Sequence, residues 1–355
     1  MSQTRSLTRR LLGSDVVASL TSPHGVDRYL EIVNPMWAVN EVRARVVRVE
    51  RETYVGPPVV TITLQPTSTW TGFTAGQHVQ LGVEIAGARR TTRAFSISSG
   101  ESAAGTPFTI TLRANPDGLV SRFLAEQARP GQLVHLSQAE GEFVLPTPLP
   151  ERLLLVSGGS GITPVMSMLR TLLARGYDGR VTFVHYAQSP EHQIFAEELG
   201  FVARMANVDV HLVHGDLFTA EMLASYVPDF ADVETWACGP GAMIALVQEA
   251  YDGSDRLLVE YFKTPADSLG NAEGDVTFSR TGEGAANSGK TLLEQAEDLG
   301  LTPEYGCRMG ICFTCTRTKV EGTVRNVISG AESSLPDEEI QICVNAPVGD
   351  CVVDL

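Results

Sequence analysis

The sequence predicts a multidomain chain with an all-β barrel, then an α/β domain with a parallel sheet, then a small α+β domain. Short β-branched runs separated by glycine and proline extend from residue 42 to about residue 144, which is the pattern of a barrel. From Arg152, buried apolar strands alternate with helical stretches, one of them predicted over residues 194–206, as they do in parallel sheets. The last part of the sequence combines a strand predicted at 276–279, a helix near 292–298, a spaced set of cysteines and short strands at 341–344 and 351–353.

Composition and charge limit the kinds of partner. The 355 residues are 43% hydrophobic and 19% charged, as in ordinary globular proteins, and the formal net charge is −15. This charge argues against nucleic acid as the main partner, because phosphate binding requires clustered lysine and arginine. Residues 271–355 hold 6 basic and 14 acidic residues, a net charge of −8. Such a segment suits docking on a basic protein surface, although a charge that serves only solubility stays open.

The sequence predicts no membrane span, because no uncharged apolar run is long enough to cross a bilayer. Residues 1–37 are predicted to form an N-terminal extension that is helical in part, with weak amphipathicity from Leu7, Leu11 and Leu12. The apolar stretch after Arg10 is broken at Asp15, so we predict no signal peptide and a cytoplasmic location.

The predicted barrel, residues 38–150, contains the hexapeptide Arg93-Ala94-Phe95-Ser96-Ile97-Ser98. Arg93 can donate two hydrogen bonds to a phosphate, and Phe95 offers a flat face for an aromatic ring system. The pattern alone is also that of an ordinary strand. The hexapeptide resembles the flavin-binding motif of the ferredoxin–NADP⁺ reductase family. The resemblance implies that Arg93, Ala94, Phe95 and Ser96 bind a flavin. It also implies a catalytic Ser96 whose hydroxyl lies near the flavin N5 atom.

A second segment, residues 118–124, resembles the family's other flavin-binding sequence. There a helix N-terminus presents backbone N–H groups to a pyrophosphate. The resemblance implies that Gly118, Val120 and Ser121 bind the cofactor, with Ser121 both capping the helix and contacting phosphate. Since FAD has a pyrophosphate and FMN has none, the segment favours FAD. Residues 141–146 resemble the family's closing strand before the second domain.

The predicted α/β domain, residues 151–262, carries the turn Gly158-Gly159-Ser160-Gly161-Ile162-Thr163-Pro164 between a buried strand and a helix. Glycines there let the backbone approach a pyrophosphate at the helix N-terminus, although a tight turn without a ligand has the same pattern. The turn resembles the family's nicotinamide-dinucleotide sequence. The resemblance implies that the dinucleotide is bound by Gly159, Gly161, Ile162, Thr163 and Pro164.

Two later segments resemble the nicotinamide end of the family's site. Cys238-Gly239-Pro240 ends a strand, where ligands bind in open α/β sheets, although a lone buried cysteine is also common in cores. The resemblance implies a catalytic Cys238 beside the nicotinamide C4 atom, with Gly239 and Pro240 in the cofactor site. It also implies a catalytic Glu260, close to Cys238 and to the flavin-side serine, and a Phe262 that covers the flavin ring.

The residues after the second strand of this domain bear on the choice between NADH and NADPH. A 2′-phosphate is held there by arginine or lysine, and Ala187-Gln188-Ser189-Pro190-Glu191-His192 contains neither. The segment leans to NADH, whereas the relatives that the whole chain resembles use NADPH. Both donors therefore stay open at this point.

The strongest motif is Cys307-x4-Cys312-x2-Cys315, followed after 27 intervening residues by Cys343. This is the plant-type [2Fe–2S] spacing, in which three thiolates of one loop and a fourth from a distant strand hold two irons. Zinc sites use paired Cys-x2–4-Cys units, and this sequence has one such unit with a lone distant cysteine. We therefore predict that the four cysteines bind a [2Fe–2S] cluster. Cys351 lies outside the pattern and is predicted to belong to the core.

One motif is rejected. The sequence Gly284-Ala-Ala-Asn-Ser-Gly289-Lys290-Thr291 fits the phosphate-loop pattern by residue type. Only 64 residues follow Thr291, too few for a nucleotide-hydrolysing sheet, and they contain the cysteine loop. We predict a hairpin or connecting loop here.

From about residue 37 to residue 355 the chain resembles the ferredoxin–NADP⁺ reductase superfamily with a fused plant-type ferredoxin domain. That domain, residues 275–355 after a linker at 263–274, is implied to have the β-grasp fold. The resemblance implies hydride transfer from NADH or NADPH to FAD, and single-electron delivery through the cluster to a redox partner protein. The N-terminal part and the domain order resemble bacterial reductases of acyl-CoA or fatty-acid desaturases, so a desaturase, which can be membrane-bound, is the first predicted partner. The alternatives are a haem or ring-hydroxylating oxygenase as partner, a small direct acceptor, and a redox or iron sensor without turnover.

Overall fold

The computed structural model describes residues 26–85, 91–116, 118–261, 272–305, 310, 313–328 and 330–355. These residues form the predicted fold class: an antiparallel barrel-like sheet, a parallel sheet with helices, and a third, mixed sheet. They fall into two compact units, one with the barrel and most of the parallel sheet, the other with helix Gly241–Ala250 and the third sheet. The predictions for Phe262, Cys307 and Cys312 concern residues outside this described set, as do those for residues 1–25 and 263–271.

The barrel follows a short helix, α1 (Val26–Val33). Its strands are β1 (Val42–Thr53), β2 (Val59–Pro66), β3 (Gly72–Phe73), β4 (His78–Val83), β5 (Thr91–Ser96), β6 (Ser102–Ala103), β7 (Phe108–Arg113) and β8 (Leu133–Leu136). Six of them pair in the order β5-β4-β8-β1-β2-β7, and β3 pairs with β6. An isolated bridge between Ile97 and Ile110 joins the segment after β5 to β7, so the two edges of the six-stranded sheet meet.

The barrel core explains why these β-branched and aromatic runs form strands. Inward-facing side chains such as Ile62 and Leu81 are fully buried, and Trp70 stacks on Phe108 with ring centroids 4.8 Å apart. A helix, α2 (Leu119–Gln127), packs its two buried residues, Val120 and Leu124, into the same core.

The parallel sheet follows the predicted alternation of strands and helices. Its elements are β9 (Arg152–Gly158), α3 (Ile162–Ala174), β10 (Arg180–Ala187), α4 (Ala196–Val202), β11 (Val208–His214), α5 (Ala220–Tyr226), β12 (Glu234–Gly239), α6 (Gly241–Ala250) and β13 (Leu257–Tyr261). The strand order is β11-β10-β9-β12-β13, with β9, β10 and β11 parallel. The helix predicted over residues 194–206 is shorter than expected, because Phe195 takes a left-handed φ of 58° and α4 begins only after it.

The third sheet surrounds one helix and has its last strand at the centre. Its elements are β14 (Asp275–Phe278), β15 (Glu283–Ala286), α7 (Leu292–Asp298), β16 (Thr316–Asn326), β17 (Glu332–Ser333), β18 (Glu338–Gln341) and β19 (Asn345–Val353). The order is β15-β14-β19-β16-β17, β18 pairs with β16, and β14 runs parallel to β19. The strand predicted over residues 341–344 is wrong beyond Gln341, which ends β18: residues 342–344 form a turn, because the Val344 N–H and the Asn345 side chain both donate to the Gln341 carbonyl.

Within the described ranges, every helix is too short or too polar to cross a bilayer.

Candidate functional site

Strand β5 carries the residues predicted to bind a flavin. Arg93 and Phe95 lie on one face of the strand and are half-buried, and Phe95 packs against the barrel core from that position. The Arg93 guanidinium donates to the Thr92 carbonyl at 2.8 Å. Ser96 lies opposite His78 in the pairing with β4 and is buried. The strand therefore holds a cation and an aromatic side by side, with a hydroxyl at its end.

The start of helix α2 differs in one respect from the prediction. Ser121 does not cap the helix: Gly118 is the N-cap, and the Ser121 hydroxyl, three residues further on, donates to the Gly118 carbonyl at 3.4 Å and accepts from the Asn115 N–H at 3.2 Å. Among the described residues no side chain caps the first turn at Gly118, a feature that suits an anion such as the pyrophosphate of FAD. Val120 is fully buried and packs into the barrel core.

The glycine-rich turn has the shape that a pyrophosphate requires. Strand β9 ends at Gly158, a 3₁₀ turn spans Gly159–Gly161, and α3 follows without a side-chain cap. Gly159 has a left-handed φ of 54°, and a Cβ there would meet no atom of the described residues within 4 Å. The turn is therefore open above this glycine, which fits a backbone that approaches phosphate. Ile162, Thr163 and Pro164 are buried in the first turn of α3.

Helix α3 also makes hydrogen bonds to the segment that follows strand β5. The Ser167 hydroxyl donates to the Ser99 carbonyl at 2.6 Å, and the Glu101 N–H donates to the Thr171 hydroxyl at 2.8 Å. The first turn of α3 belongs to the predicted dinucleotide site. The helix thus links the two predicted cofactor segments directly.

Arg170 makes the most extensive of these links, and sequence reasoning missed it. Its guanidinium donates to the Ser98 carbonyl and to both carboxylate oxygens of Glu198, and it lies over the Phe195 ring at 4.5 Å from the centroid. These contacts join the barrel segment, helix α3 and the start of α4. One signal was available, since Arg170 is the only charged residue of the 13-residue helix.

Trp236 of β12 fixes the closing segment of the barrel, which is another contact that the sequence did not reveal. Its indole N–H donates to the Val144 carbonyl at 3.0 Å, and the ring is buried. The segment 141–146 is therefore tied to the parallel sheet by a hydrogen bond between residues 92 positions apart.

The loop after β10 is acidic. The Ser189 hydroxyl donates to the Glu191 carboxylate at 2.5 Å, and this hydrogen bond holds the pKa of Glu191 below its ordinary value. The same hydroxyl lies 2.9 Å from Nδ1 of His192. Residues 181–203 include no lysine or arginine. A carboxylate, rather than a fixed cation, thus lies where a dinucleotide's ribose is recognised in folds of this kind.

Cys238 and Glu260 lie close enough for the Glu260 charge to act on the Cys238 thiol. Cys238 is fully buried near the end of β12, and Glu260 lies on β13. Burial, and then the nearby Glu260 carboxylate, raise the pKa of the Cys238 thiol well above its ordinary value. The thiol therefore stays protonated and can act only as a neutral, polarizable contact. Pro240 is the N-cap of helix α6, which begins at Gly241.

Two of the four predicted cluster ligands are described, and they lie close to each other. Cys315 and Cys343 are both buried in the core of the third sheet. The Ile342 N–H donates to the Cys315 carbonyl at 3.4 Å. Gly310 contacts the same turn, because the Gln341 side chain donates to the Gly310 carbonyl at 2.6 Å. A loop cysteine and a distant cysteine that are buried in one core, with a backbone hydrogen bond between Cys315 and the neighbour of Cys343, fit the donor set of a [2Fe–2S] cluster.

Gly310 and Cys351 define the surroundings of this pair. Gly310 has a left-handed φ of 75°, and a Cβ there would lie 3.0 Å from the Val344 side chain, so glycine permits the close approach of the loop. Cys351 pairs with Val276 and Gly322 on the central strand, and burial raises its pKa to about 11. The prediction that Cys351 belongs to the core is confirmed.

The phosphate-loop-like sequence has a structural role in the third sheet. Strand β15 forms a hairpin with β14, and Thr291 caps helix α7 in a capping box with Glu294. Lys290 pairs with Asp298 at 2.6 Å. The predicted hairpin and connecting loop are confirmed, and the threonine and lysine are both engaged by the helix that they precede.

Comparison with known proteins agrees with this arrangement. Family models match in the order of the three sheets: an oxidoreductase FAD-binding domain over residues 48–145, an oxidoreductase NAD-binding domain over 155–249, and a 2Fe-2S iron-sulfur cluster binding domain over 278–347.

Similar proteins extend over nearly the whole chain. An NADPH oxidoreductase of Mycobacterium tuberculosis is 36% identical, with 96% of this chain and 91% of the relative covered. A glycine betaine monooxygenase reductase subunit of Pseudomonas aeruginosa is 29% identical, with coverage of 91% and 98%. The solved structure of phthalate dioxygenase reductase, described as modular for electron transfer from pyridine nucleotides to [2Fe–2S], aligns with a TM-score of 0.61 at 22% identity. That alignment covers 89% of this chain and 98% of the other.

Proposed function

Because the chain belongs to the ferredoxin–NADP⁺ reductase superfamily and carries its FAD-binding, nicotinamide-binding and [2Fe–2S] domains, we propose that it supplies single electrons to a partner oxygenase. It is an NAD(P)H oxidoreductase of the ferredoxin-reductase type. The observation that carries the proposal is the third domain, in which a loop cysteine and a distant cysteine are both buried in one core. Bound FAD would supply hydride acceptance and one-electron release, and the cluster would supply one-electron transfer outward.

On the flavin side, the residues of the barrel bind and orient. Arg93 and the uncapped first turn of α2, with Gly118, Val120 and Ser121, would hold the phosphates of FAD. Phe95 would lie against the ring system, with Ala94 between the two contacts, and the Ser96 hydroxyl would donate a hydrogen bond near N5. Phe262 is proposed to cover the ring, as the resemblance implies.

On the nicotinamide side, the residues bind the donor and exclude water. The turn at Gly159, Gly161 and Ile162, with Thr163 and Pro164, would hold the pyrophosphate through backbone groups. Cys238, with Gly239 and Pro240, would lie against the nicotinamide. Because this thiol stays protonated, it presents no negative charge to a ring that becomes positive when hydride leaves. Glu260 would orient the thiol and the carboxamide side of the donor.

The loop after β10 supports NADH as the donor. A 2′-phosphate placed beside the Glu191 carboxylate would be repelled, whereas the 2′-hydroxyl of NADH could donate to it. The segment offers no fixed positive charge in compensation. We therefore propose NADH in preference to NADPH for this chain.

The proposed acceptor is an oxygenase. The support is the similarity along the whole chain to the reductase subunit of glycine betaine monooxygenase and the shared fold of phthalate dioxygenase reductase. None of the relatives named above is described as a desaturase partner, so the desaturase predicted from the sequence becomes the alternative. NADH-dependent oxygen consumption with soluble and with membrane fractions of the host, followed by mass spectrometry of the products, distinguishes the two. Hydroxylated or demethylated products support the oxygenase, and a new carbon–carbon double bond would overturn it.

We also propose the domain limits predicted from the sequence: an N-terminal extension at 1–37, the barrel at 38–150, the α/β domain at 151–262, a linker at 263–274 and the [2Fe–2S] domain at 275–355. A cytoplasmic location is proposed as well, since thiolate ligands and a nicotinamide donor suit a reducing compartment.

The cluster is tested with paired cysteine variants. Cys343→Ala is expected to lose the bound iron and sulfide and the ability to reduce cytochrome c, while reduction of the flavin by NADH survives. Cys351→Ala, a buried cysteine of the same core, is the control and should keep the cluster. Zinc in place of iron and sulfide in anaerobically purified protein, or a cluster that survives the first substitution, would contradict the assignment of Cys307, Cys312, Cys315 and Cys343.

A further inference from the structure

Phe313 is an exposed aromatic residue beside the cluster ligands. It lies between Cys312 and Cys315 in the sequence, and its side chain is 67% exposed. Cys315, two residues later, is buried in the domain core. The chain thus passes from a largely exposed ring to a buried predicted ligand within two residues. The ring is therefore an exposed apolar group close in sequence to the predicted cluster ligands.

The backbone of Phe313 is held in a conformation that glycine adopts more easily. Its φ is 55°, in the left-handed region that residues with a Cβ rarely adopt. The Phe313 carbonyl accepts two hydrogen bonds from Thr316, from the N–H at 3.0 Å and from the hydroxyl at 2.7 Å. Glycine at this position would give a higher free energy of unfolding than phenylalanine, because the phenylalanine combines an unfavourable φ with an exposed apolar ring. This combination indicates that the ring serves contact with something outside the domain.

The charge around Phe313 indicates the chemistry of that contact. Residues 271–355 carry a formal charge of −8, and four of the basic residues, Arg280, Lys290, Lys319 and Arg325, are already paired with carboxylates. On β18 the exposed Glu339 lies opposite Thr318, two residues beyond the threonine that holds Phe313. Arg317, the cation nearest in sequence, is turned back to the carbonyl of Thr316.

We propose that Phe313 is the docking anchor through which the [2Fe–2S] domain engages its acceptor, a protein with an apolar hollow rimmed by lysine and arginine. This inference rests on the proposed reductase function and adds to it the chemistry of the partner's surface. A single aromatic side chain in a pocket commonly dominates an interface, and the surrounding acidic charge speeds and orients the encounter. Neither the barrel nor the nicotinamide site is needed for this contact.

The test uses the full chain loaded with FAD and cluster, and two acceptors. Cytochrome c is a basic protein whose haem edge is ringed by lysines, and ferricyanide is a small ion that needs no docking surface. With either acceptor, one NADH is converted to NAD⁺ and one proton, and two Fe(III) are reduced to Fe(II). Phe313→Gly is expected to lower kcat/KM for cytochrome c by about fivefold or more. Its ferricyanide rate should stay within about twofold, and its melting temperature should be unchanged or higher, because glycine adopts this φ freely.

Two further variants make the result specific. Leu335→Gly removes another apolar side chain of the same domain, 66% exposed, and should change neither rate. Phe313→Leu keeps an apolar group and should restore part of the cytochrome c rate. Equal cytochrome c kinetics for the wild type and Phe313→Gly would overturn the proposal. Loss of the cluster absorbance in Phe313→Gly would also overturn it, since the residue would then serve the cluster itself. If the wild type oxidises no NADH with either acceptor, the reductase function fails instead.

Discussion

Arg170 of helix α3 donates a hydrogen bond to the carbonyl of Ser98, two residues beyond the serine predicted to lie near the flavin N5 atom. The same guanidinium forks onto Glu198 at the start of the next helix and covers the Phe195 ring. Arg170 therefore joins the segment after β5 to helix α3, together with Ser167 and Thr171, and is itself held on two other sides.

Arg170→Gln is therefore expected to slow flavin reduction by NADH. Small displacements of reacting groups are costly, so a decrease of about tenfold or more is expected at saturating NADH. Stopped-flow absorbance of the flavin measures the rate, and the FAD content should stay close to that of the wild type. Arg180→Gln is the control, because Arg180 forms a comparable pair with Asp209 within the parallel sheet, away from the barrel segment. A wild-type rate in Arg170→Gln would show that Ser167 and Thr171 suffice to hold the segment.

The second prediction concerns the ionisation of Cys238. Because burial and Glu260 raise its pKa well above the ordinary value, the thiol should remain protonated at neutral and mildly alkaline pH. The rate of flavin reduction should then show no ionisation of a thiolate, and thiol reagents should fail to modify Cys238 in the folded protein. Cys238→Ser, which keeps a neutral donor, should retain more activity than Cys238→Ala at every pH. Rapid alkylation of Cys238 in the native protein, mapped by mass spectrometry, would contradict this.

The third prediction is a loss of stability in mild acid. Burial lowers the pKa of His78 to about 4 and that of His185 to about 3. Between pH 6.5 and these values the unfolded chain binds a proton that the folded protein does not, so the free energy of unfolding falls as the pH falls through this window and levels off below it. Each histidine should contribute about 2 kcal/mol of this loss by about pH 5.

His78→Phe tests the acid effect at one site, since both ring nitrogens of His78 are buried without a hydrogen-bond partner among the described residues. Urea unfolding at neutral pH and near pH 5 should show a smaller acid loss for this variant than for the wild type. An unchanged difference between the two pH values would mean that His78 takes up no proton on unfolding in this range.

The fourth prediction concerns the electron donor. If the Glu191 carboxylate excludes a 2′-phosphate, the wild type should have a higher kcat/KM with NADH than with NADPH. Glu191→Gln should raise kcat/KM for NADPH by about tenfold, and Gln188→Arg combined with it should raise it further. Steady-state rates with ferricyanide measure both donors without a partner protein. Preference for NADPH in the wild type would refute the assignment, and a Glu197→Gln variant, which changes an exposed acid on the adjacent helix α4, provides the control.

Local sequence predicted those parts of the fold whose causes are local. The turn at Gly159 and the helix that starts at Thr291 follow from glycine and capping preferences within a few residues, and both lie where predicted. The fold class follows from periodicity, which also depends on near neighbours. Within the site, the closeness of Cys315 and Cys343 was predictable because metal-ligand spacing encodes it.

The features that the sequence did not predict correctly depend on contacts between residues distant in sequence or on local preferences that compete with one another. The Arg170 contact joins residues 72 positions apart, so no short pattern reveals it. Serine is favoured both at the N-cap and in the first turn. The observed N-cap is Gly118, where a Cβ atom would lie only 2.5 Å from the Ser121 hydroxyl oxygen, so a residue without a Cβ is required. The strand expected at residues 341–344 is apolar enough to be one, but the turn that carries Cys343 replaces it.

The position of β19 has a consequence for biosynthesis. It is the last strand of the third sheet in chain order, yet it lies between β14 and β16, which both depend on it for pairing. This sheet cannot close until the ribosome has released the residues through Val353, whereas the barrel and the parallel sheet are already synthesised in full. A nonsense codon before residue 345 would therefore yield a chain that can still accept hydride from a nicotinamide but cannot pass single electrons on through the third domain.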